Sequence, residues 1–427
     1  MIKRPFFCLA TPKLQYPVLL DGEKDAIREI PLPSKATLLL EQPTADTGAL
    51  LPKPGDRVQT GQSLGRAGES EGHWVSTVTG SIGAIAEHTG YLGKTSPAMS
   101  IDVEEDEWDE TFSKLGDTPA REDVVPYLGA LPDYPRFAAM LSADPPLKTL
   151  IILGMDKDLM VTTNQLVMLT QGENLKKGIA LLKSLASPEE VLLVVPPHLH
   201  SRALETEADV RLIEPVYPAA FPRMIMKHNM KRSVPANGDI AEMGVGFISA
   251  EAVAALGEAI STGNPPVHKI ITVIRKDYTS EHVKARIGTP VGDILGALGI
   301  ETGHGDGLVL GGPMTGEAIF SEDTPVSCNT DAIMIQDKGE IPFYSDNQCI
   351  NCGECVRACP AHIPINMLVR LLENGLYEEA AGNYDLHSCI DCGLCSYVCI
   401  GQIPVFHYIT MGKHEMARMR TLEESHA

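Results

Sequence analysis

The chain has 427 residues, enough for several domains with separate cores, and its 44% hydrophobic and 21% charged content is ordinary for a globular protein. Thirty-five basic against 56 acidic residues leave a formal charge of −21. That balance excludes nucleic acid as the expected partner and disfavours direct adsorption to anionic lipid, since both need clustered Lys and Arg; its plainer consequence is solubility.

In chain order, Met1–Leu14 carries Lys3 and Arg4 before a short apolar stretch broken by Pro5 and Pro12, too short and too broken for a signal peptide. No window reaches the roughly 18 apolar residues of a membrane helix. The expected location is the cytoplasmic side, with any membrane association made through partner subunits. From about Val18 to Ala98, alternating runs between turn signals predict β structure. Pro54-Gly55-Asp56-Arg57-Val58 reads as a tight turn entering a strand, and Val75–Ile82 as strand, turn and strand. The pattern resembles the barrel-sandwich fold of lipoyl and biotinyl carrier domains. Those domains present a modifiable lysine, and none lies between Pro54 and Gly93, so the likeness is one of fold.

The acidic run Asp102–Glu110 reads as a solvated linker, the alternative being a docking surface for a basic partner. Leu147–Leu153 and Glu190–Val195 are apolar runs of the buried parallel type, and Asn174–Ser187 between them has helical spacing. That is a βαβ unit, and Pro132 to about Gly263 is expected to form an α/β domain. A smaller domain follows, with strands at Lys269–Ile274 and Gly307–Leu310 and a helix at Val291–Leu298. The remainder, Ile341–Ala427, holds the cysteine motifs and reads as helical between them, with Lys413, Arg418 and Arg420 expected on a solvated helix end.

Eight of ten cysteines fall in two runs. The first is Cys349-x2-Cys352-x2-Cys355-x3-Cys359-Pro360, and the second is Cys389-x2-Cys392-x2-Cys395-x3-Cys399-Ile400. Each has the spacing of bacterial two-cluster ferredoxins, in which three cysteines wrap one 4Fe–4S cubane and the fourth ligates the other. By that rule one cluster takes Cys349, Cys352, Cys355 and Cys399, and the other takes Cys389, Cys392, Cys395 and Cys359. Structural zinc also uses C-x2-C pairs, but has no use for a third cysteine at the same spacing in each run. Gly353 and Gly393 allow close backbone approach, and Pro364 and Pro404 recur at matching offsets. Cys8 and Cys328 read as ordinary thiols. His88-x4-Gly93-Lys94-Thr95 lacks the first glycine of a phosphate-binding loop, and turn geometry accounts for Gly244-Val245-Gly246.

Taken with Arg286-Ile287-Gly288-Thr289-Pro290 and Gly311-Gly312-Pro313-Met314-Thr315-Gly316, this order of parts resembles RnfC over nearly the whole chain. RnfC is the peripheral subunit of Rnf ion-translocating ferredoxin:NAD oxidoreductases. The resemblance implies an α/β multidomain fold: a barrel-sandwich hybrid over 1–110, an α/β domain like the flavin subunit of complex I over 111–265, a β-grasp-like domain over 266–338, and a helical double-cluster ferredoxin domain over 339–427. It also implies two 4Fe–4S clusters, membrane partner subunits, a soluble redox donor or acceptor, and FMN and NADH in the α/β domain. Three loops depart from the family pattern. Gly129-Ala130-Leu131-Pro132-Asp133-Tyr134-Pro135 stands where the family shows GGAGFP, Asp156-Lys157-Asp158-Leu159 where it shows ECEP, and Tyr217-Pro218-Ala219-Ala220-Phe221-Pro222 where it shows YPQGGE. Loss of glycines and gain of Asp133 speak against FMN or NADH held in the family's manner. The expected function is a relay of electrons between a soluble redox partner, NADH or a protein donor, and membrane subunits. The alternative is a soluble reductase resembling the RnfC-like cobalamin reductases.

Overall fold

The computed structural model describes residues 12–20, 27–39, 52–66, 73–116, 119–134, 136–141, 145–236, 238–341 and 343–426. Cys8 and Pro135 lie outside them, as does most of the Met1–Leu14 segment. The leading strand, β1 (Arg28–Glu29), does not join the barrel. The barrel is built by β2 (Lys35–Leu39), β3 (Arg57–Val58), β4 (Ser63–Arg66), β5 (His73–Val75), β6 (Gly80–Thr89) and β7 (Thr95–Val103). Antiparallel pairing orders four of them β2-β7-β6-β3, and β4 pairs with β5. Their inward positions, among them Leu38, Val58, Trp74, Ile82, Met99 and Ile101, make one core. Gly55, at φ +92°, makes the turn expected before β3.

The acidic run is not a free linker. Asp102 and Val103 belong to β7, and the residues after them bolt the barrel to the third domain. Asp106 pairs with Arg286 at 2.5 Å and accepts from Thr60; the Arg286 guanidinium lies 5.1 Å from the Trp108 ring centre; and Glu104 and Glu107 take Arg57. Charge density alone does not reveal this, because the cation that meets Asp106 comes from a distant segment.

β8 (Thr149–Leu153), β9 (Glu190–Val195), β10 (Asp209–Leu212) and β11 (Val245–Ser249) form an all-parallel sheet in the order β10-β9-β8-β11. The expected helix spans Gly172–Ala186, and it packs on a second helix, Ala250–Thr262. The two meet at Gly178 and Gly257, where an added Cβ would stand 1.9 Å from Val253 O and Asn174 O respectively. The chain leaves β8 toward β9 and β10 and returns on β8's other side as β11. The order therefore reverses between β8 and β11, the position where open α/β sheets hold ligands beyond their carboxyl ends.

The third sheet contains β12 (His268–Ile274), β13 (Ser280–Arg286), β14 (Gly307–Leu310), β15 (Glu317–Ile319) and β16 (Ala332–Gln336), with β1 on its edge: β1-β13-β12-β16-β14-β15. The helix Val291–Ala297 covers one face through Val291, Ile294 and Leu295. A buried polar seam joins this sheet to the parallel one. Lys269, 1% exposed, donates to Glu251 and, at 2.9 Å, to Asp331. Glu251 also accepts from Ile270 N at 2.7 Å, and its own N–H donates to Asn164 Oδ1 at 3.1 Å. The Asn164 amide donates onward to Asp156 at 2.9 Å. Burial works against the Lys269 charge, but Asp331 and Glu251 outweigh it and keep the ammonium protonated. Burial, with Asp331 adding to it, pushes Asp156 up to about 7.

Two outcomes follow. Lys269→Met leaves Glu251 buried without its cation and lowers unfolding stability by about 3–5 kcal/mol in denaturant titration. For Asp156 the folded protein holds the proton more tightly than the unfolded chain, so its contribution to stability falls as pH rises from the ordinary value of 3.8 through about 7. Asp156→Asn therefore gains in melting temperature relative to wild type between about pH 5 and about pH 8. An identical offset at both pH values refutes the assignment.

Candidate functional site

Two short helices carry the middle cysteines, Glu354–Ala358 with Cys355 and Leu394–Tyr397 with Cys395, and they pack together. Each is entered through a left-handed glycine, Gly353 at φ +76° and Gly393 at φ +69°. Further left-handed residues match in pairs: Asn351 at +56° with Asp391 at +58°, and His362 at +56° with Gln402 at +54°. Each pair has the same sequence separation as the paired cysteines, so the two runs trace one backbone path twice. Pro364 and Pro404 close the repeats, each immediately before a helix (Ile365–Glu373 and Val405–His426).

Cys349, Cys352, Cys355 and Cys399 line a single cavity whose other walls include Ile350, Val369, Ile403 and Val405. Three sulfurs of one run and the last of the other thus face one space. In the second run Cys395 has Cys389 and Cys392 as electrostatic neighbours, and Cys392 has Cys359. Burial first, then the thiols of Cys349 and Cys352, push Cys355 up to about 12. Burial likewise pushes Cys392 up to about 12 and raises Cys389 and Cys395. Such thiols become thiolates when a metal supplies the compensating charge. Two sulfurs accept backbone N–H groups, Cys389 from Asp391 and Cys399 from Ile403, each at 3.4 Å. Cys328 stays apart from both sets, half-buried with its thiol 3.1 Å from Tyr134 O.

The second run is seated in the body of the protein. Cys392 and Leu394 share an apolar core with Tyr16, Ile151, Leu192 and Phe221. The Tyr217 hydroxyl donates to Cys392 O at 2.5 Å. Lys413, expected on a solvated helix end, instead reaches inward to Cys389 O at 2.9 Å and to both Asp391 oxygens at 2.7 Å. Arg418 is exposed and pairs with Glu415.

Residues 341–400 match a 4Fe-4S dicluster domain model, and residues 21–107 match the RnfC barrel sandwich hybrid domain model. Relatives described as the C component of an ion-translocating oxidoreductase complex align over most of the chain. The protein of Edwardsiella ictaluri is 26% identical over 83% of this chain and 47% of its own length. That of Pectobacterium carotovorum is 26% identical over 86% and 52%, and that of Rhodobacter capsulatus 25% over 81% and 71%. The chain is RnfC-like. It spans about half the length of the first two relatives. Among solved structures, an NAD+-reducing NiFe-hydrogenase in its H2-reduced state aligns with TM-score 0.45 and 12% identity over 73% of this chain and 63% of that one.

In this RnfC-like chain the three divergent loops all have structural tasks. Leu131 and Tyr134 fill the main core, and Gly129 lies so near β5 that a Cβ would stand 2.0 Å from His73 O. Asp133, at φ +67°, accepts from Ser249 N at 2.6 Å beside the start of the Ala250–Thr262 helix. Buried Asp158 accepts from Met314 N, Thr315 N and Thr315 Oγ1 at 3.1, 2.8 and 2.6 Å, holding the Gly311–Gly316 loop. Tyr217 holds Cys392. A cavity of about 410 Å³ does open at the reversal between β8 and β11, with Leu153, Met155, Ser249, Asp133, Asp239 and Asp331 in its walls. Sequence reasoning found the cysteines by their spacing but missed Tyr217, Lys413 and Met314, whose partners lie far away in the chain.

The two matched glycines differ in what surrounds them. A Cβ on Gly393 would stand 2.3 Å from Met314 O, whereas on Gly353 it meets only the flexible Arg357 side chain at 3.4 Å. Gly353→Ala is expected to cost about 1 kcal/mol for its left-handed backbone. Gly393→Ala loses roughly a further 1–3 kcal/mol by forcing the second run off Met314. Thermal unfolding of the two variants side by side checks the difference.

Proposed function

We propose that this chain is the electron-transfer subunit of an Rnf-type ion-translocating oxidoreductase, passing single electrons between a soluble redox partner and membrane subunits. In this reading Cys349, Cys352, Cys355 and Cys399 hold one 4Fe–4S cluster, and Cys389, Cys392, Cys395 and Cys359 hold a second. The observation that carries it is the cavity shared by Cys399 with the first three cysteines of the other run. It supports the reading in which the fourth ligand is exchanged as in two-cluster ferredoxins. A bound 4Fe–4S cluster supplies a one-electron couple without proton chemistry.

The residues around the sulfurs tune such a couple. The Asp391 and Ile403 N–H groups donate to Cys389 and Cys399, and this stabilises negative charge on the sulfurs. Val369, Ile403 and Val405 give the first cavity an apolar wall. No helix among the described residues is long and apolar enough to cross a membrane, which accords with a peripheral place on membrane partners, here assigned to the cytoplasmic side.

FMN and NADH lie outside the proposed cofactor set. Both bind through phosphate, which needs converging backbone N–H groups or cations. Asp133 and Asp239 stand beside Lys157 in the wall of the cavity between β8 and β11, and Asp331 there is already paired with Lys269, so no surplus of positive charge meets a phosphate. A soluble cobalamin-reductase-type enzyme would need a flavin to split a hydride into single electrons, and the same carboxylates count against it.

Anaerobic reconstitution is expected to give about eight irons per chain, no extractable flavin, and clusters reduced by dithionite but not by NADH. Cys399→Ser lowers the iron to about four, because it removes a ligand of one cluster only. Bound FMN with rapid bleaching by NADH would restore the flavin-dependent role and defeat the reading of the loops.

A further inference from the structure

The two cysteine runs repeat one backbone path but carry different charges along it. Asp391, two residues after Cys389, stands at φ +58° and donates its N–H to Cys389 Sγ at 3.4 Å. The matched residue of the first run, Asn351 at φ +56°, is neutral, and its side-chain oxygen accepts from the Asn366 amide at 2.7 Å. A carboxylate so near a cysteine sulfur opposes the gain of an electron there, because net charge around a 4Fe–4S cluster is one of the terms that set its potential.

Lys413 meets that carboxylate. Its ammonium lies 2.7 Å from both Asp391 oxygens and 2.9 Å from Cys389 O, so it ties both ends of the turn that makes the N–H···S bond. Forty residues separate the paired cysteines, as Cys349 from Cys389, and the same step leads from Lys413 back to Glu373, an exposed anion at the end of the Ile365–Glu373 helix. The repeat keeps the backbone and exchanges the charge. The first run has a cation of its own, Arg357, which donates to Cys352 O at 3.0 Å and to Glu354. Arg357 is 53% exposed, whereas Lys413 is 22% exposed and keeps more of its field from the screening of water.

The second set also has the greater need of compensation. Three of its sulfurs, on Cys359, Cys392 and Cys395, are buried and Cys389 is half-buried; in the first set Cys355 is buried, Cys349 and Cys399 are half-buried and Cys352 is exposed. Water offsets added negative charge at the first set more than at the second.

We propose that Lys413 is a positioning residue for the second set: by neutralising Asp391 and holding the turn from Cys389 to Asp391, it raises the potential at which a cluster there accepts an electron, supplying the compensation that water gives the first set. This rests on the reading that Cys359, Cys389, Cys392 and Cys395 hold a 4Fe–4S cluster. Reduction there adds one electron, drawn from the redox partner, and no bond is made or broken.

The test is an EPR-monitored redox titration of the full chain with clusters reconstituted, its two signals assigned with Cys352→Ser and Cys392→Ser. In Lys413→Met the ratio of reduced to oxidised second cluster at a fixed potential is expected to fall at least tenfold, about 59 mV for one electron. Asp391→Asn leaves the cation without its anion and is expected to raise the same midpoint, in a turn that Asn351 shows an asparagine can hold. The double variant returns close to wild type. Arg418→Met, which removes an exposed charge from the same helix, leaves both midpoints in place, and the first set's midpoint is steady throughout. An unmoved second midpoint in Asp391→Asn, an unmoved one in Lys413→Met with full iron, or an equal shift in Arg418→Met overturns the assignment. If Lys413→Met fails to hold iron, Asp391→Asn decides: a raised midpoint supports the role and an unmoved one defeats it. Wild type without iron in the second set would instead defeat the cluster reading, so the two failures are distinguishable.

Discussion

Cys399 reaches across to line the cavity of Cys349, Cys352 and Cys355, and this crossing constrains the whole C-terminal region. A run that gives its fourth cysteine to its partner cannot fold alone. The two runs must face each other, so both helices carrying a middle cysteine lie in contact and both are entered through a left-handed glycine. Matched left-handed residues at Asn351 and Asp391, and at His362 and Gln402, follow from the same demand. Asn and Asp tolerate that conformation better than most residues, whereas His362 and Gln402 are held there by the turns that follow each fourth cysteine. Behind the crossing, Leu368, Val369 and Leu372 of one following helix and Ile409 of the other close a common core, so the cysteine loops rest on rigid support.

That symmetry stops at the edge of the C-terminal region. The second run is built into the core of the parallel sheet through Cys392 and Leu394, whereas the first run packs within the C-terminal core. The second run's environment is assembled from three other parts of the chain. Tyr217 comes from the segment after β10, Met314 from the loop held by Asp158, and Lys413 from the last helix. The sheets that present Tyr217 and Met314 are themselves joined by the Lys269–Glu251–Asp331 seam. A displacement between the parallel sheet and the third sheet would move Tyr217 and Met314 relative to each other. The buried ionic seam therefore bears on the geometry around Cys392 although it lies in a different part of the fold.

What could be read in the sequence was whatever depends on near neighbours. Cysteine spacing is local, and the structure gathers Cys349, Cys352, Cys355 and Cys399 at one cavity. The apolar runs at Leu147–Leu153 and Glu190–Val195 pair in parallel, because strands buried on both faces need continuous apolar character. Long-range pairing was not legible. Arg28–Glu29 leaves the barrel to pair with β13, and two residues carry too little pattern to announce it. Asp106 and Lys413 were read as solvated because each sits in a charged run, yet each meets a partner that no window contains. The acidic composition itself hides such pairs, since one satisfied carboxylate looks like any other in a charge count.

The divergent loops do their structural work at two separate places. Glycines at a ligand loop leave backbone N–H groups accessible and the chain compliant. Here the first loop bears Leu131 and Asp133 instead, each committed to an internal partner, while Asp158 and Tyr217 stand where the family motifs also have an acidic residue and a tyrosine. The commitment of Asp133 to Ser249 N occupies a backbone donor at the start of the Ala250–Thr262 helix. Tyr217 and Asp158 meanwhile tighten the wall around the second cysteine run. Reopening the first loop with glycine would free the Ser249 N–H that Asp133 holds, while the Tyr217 bond to Cys392 O and the Asp158 bonds to the Gly311–Gly316 loop would stay in place.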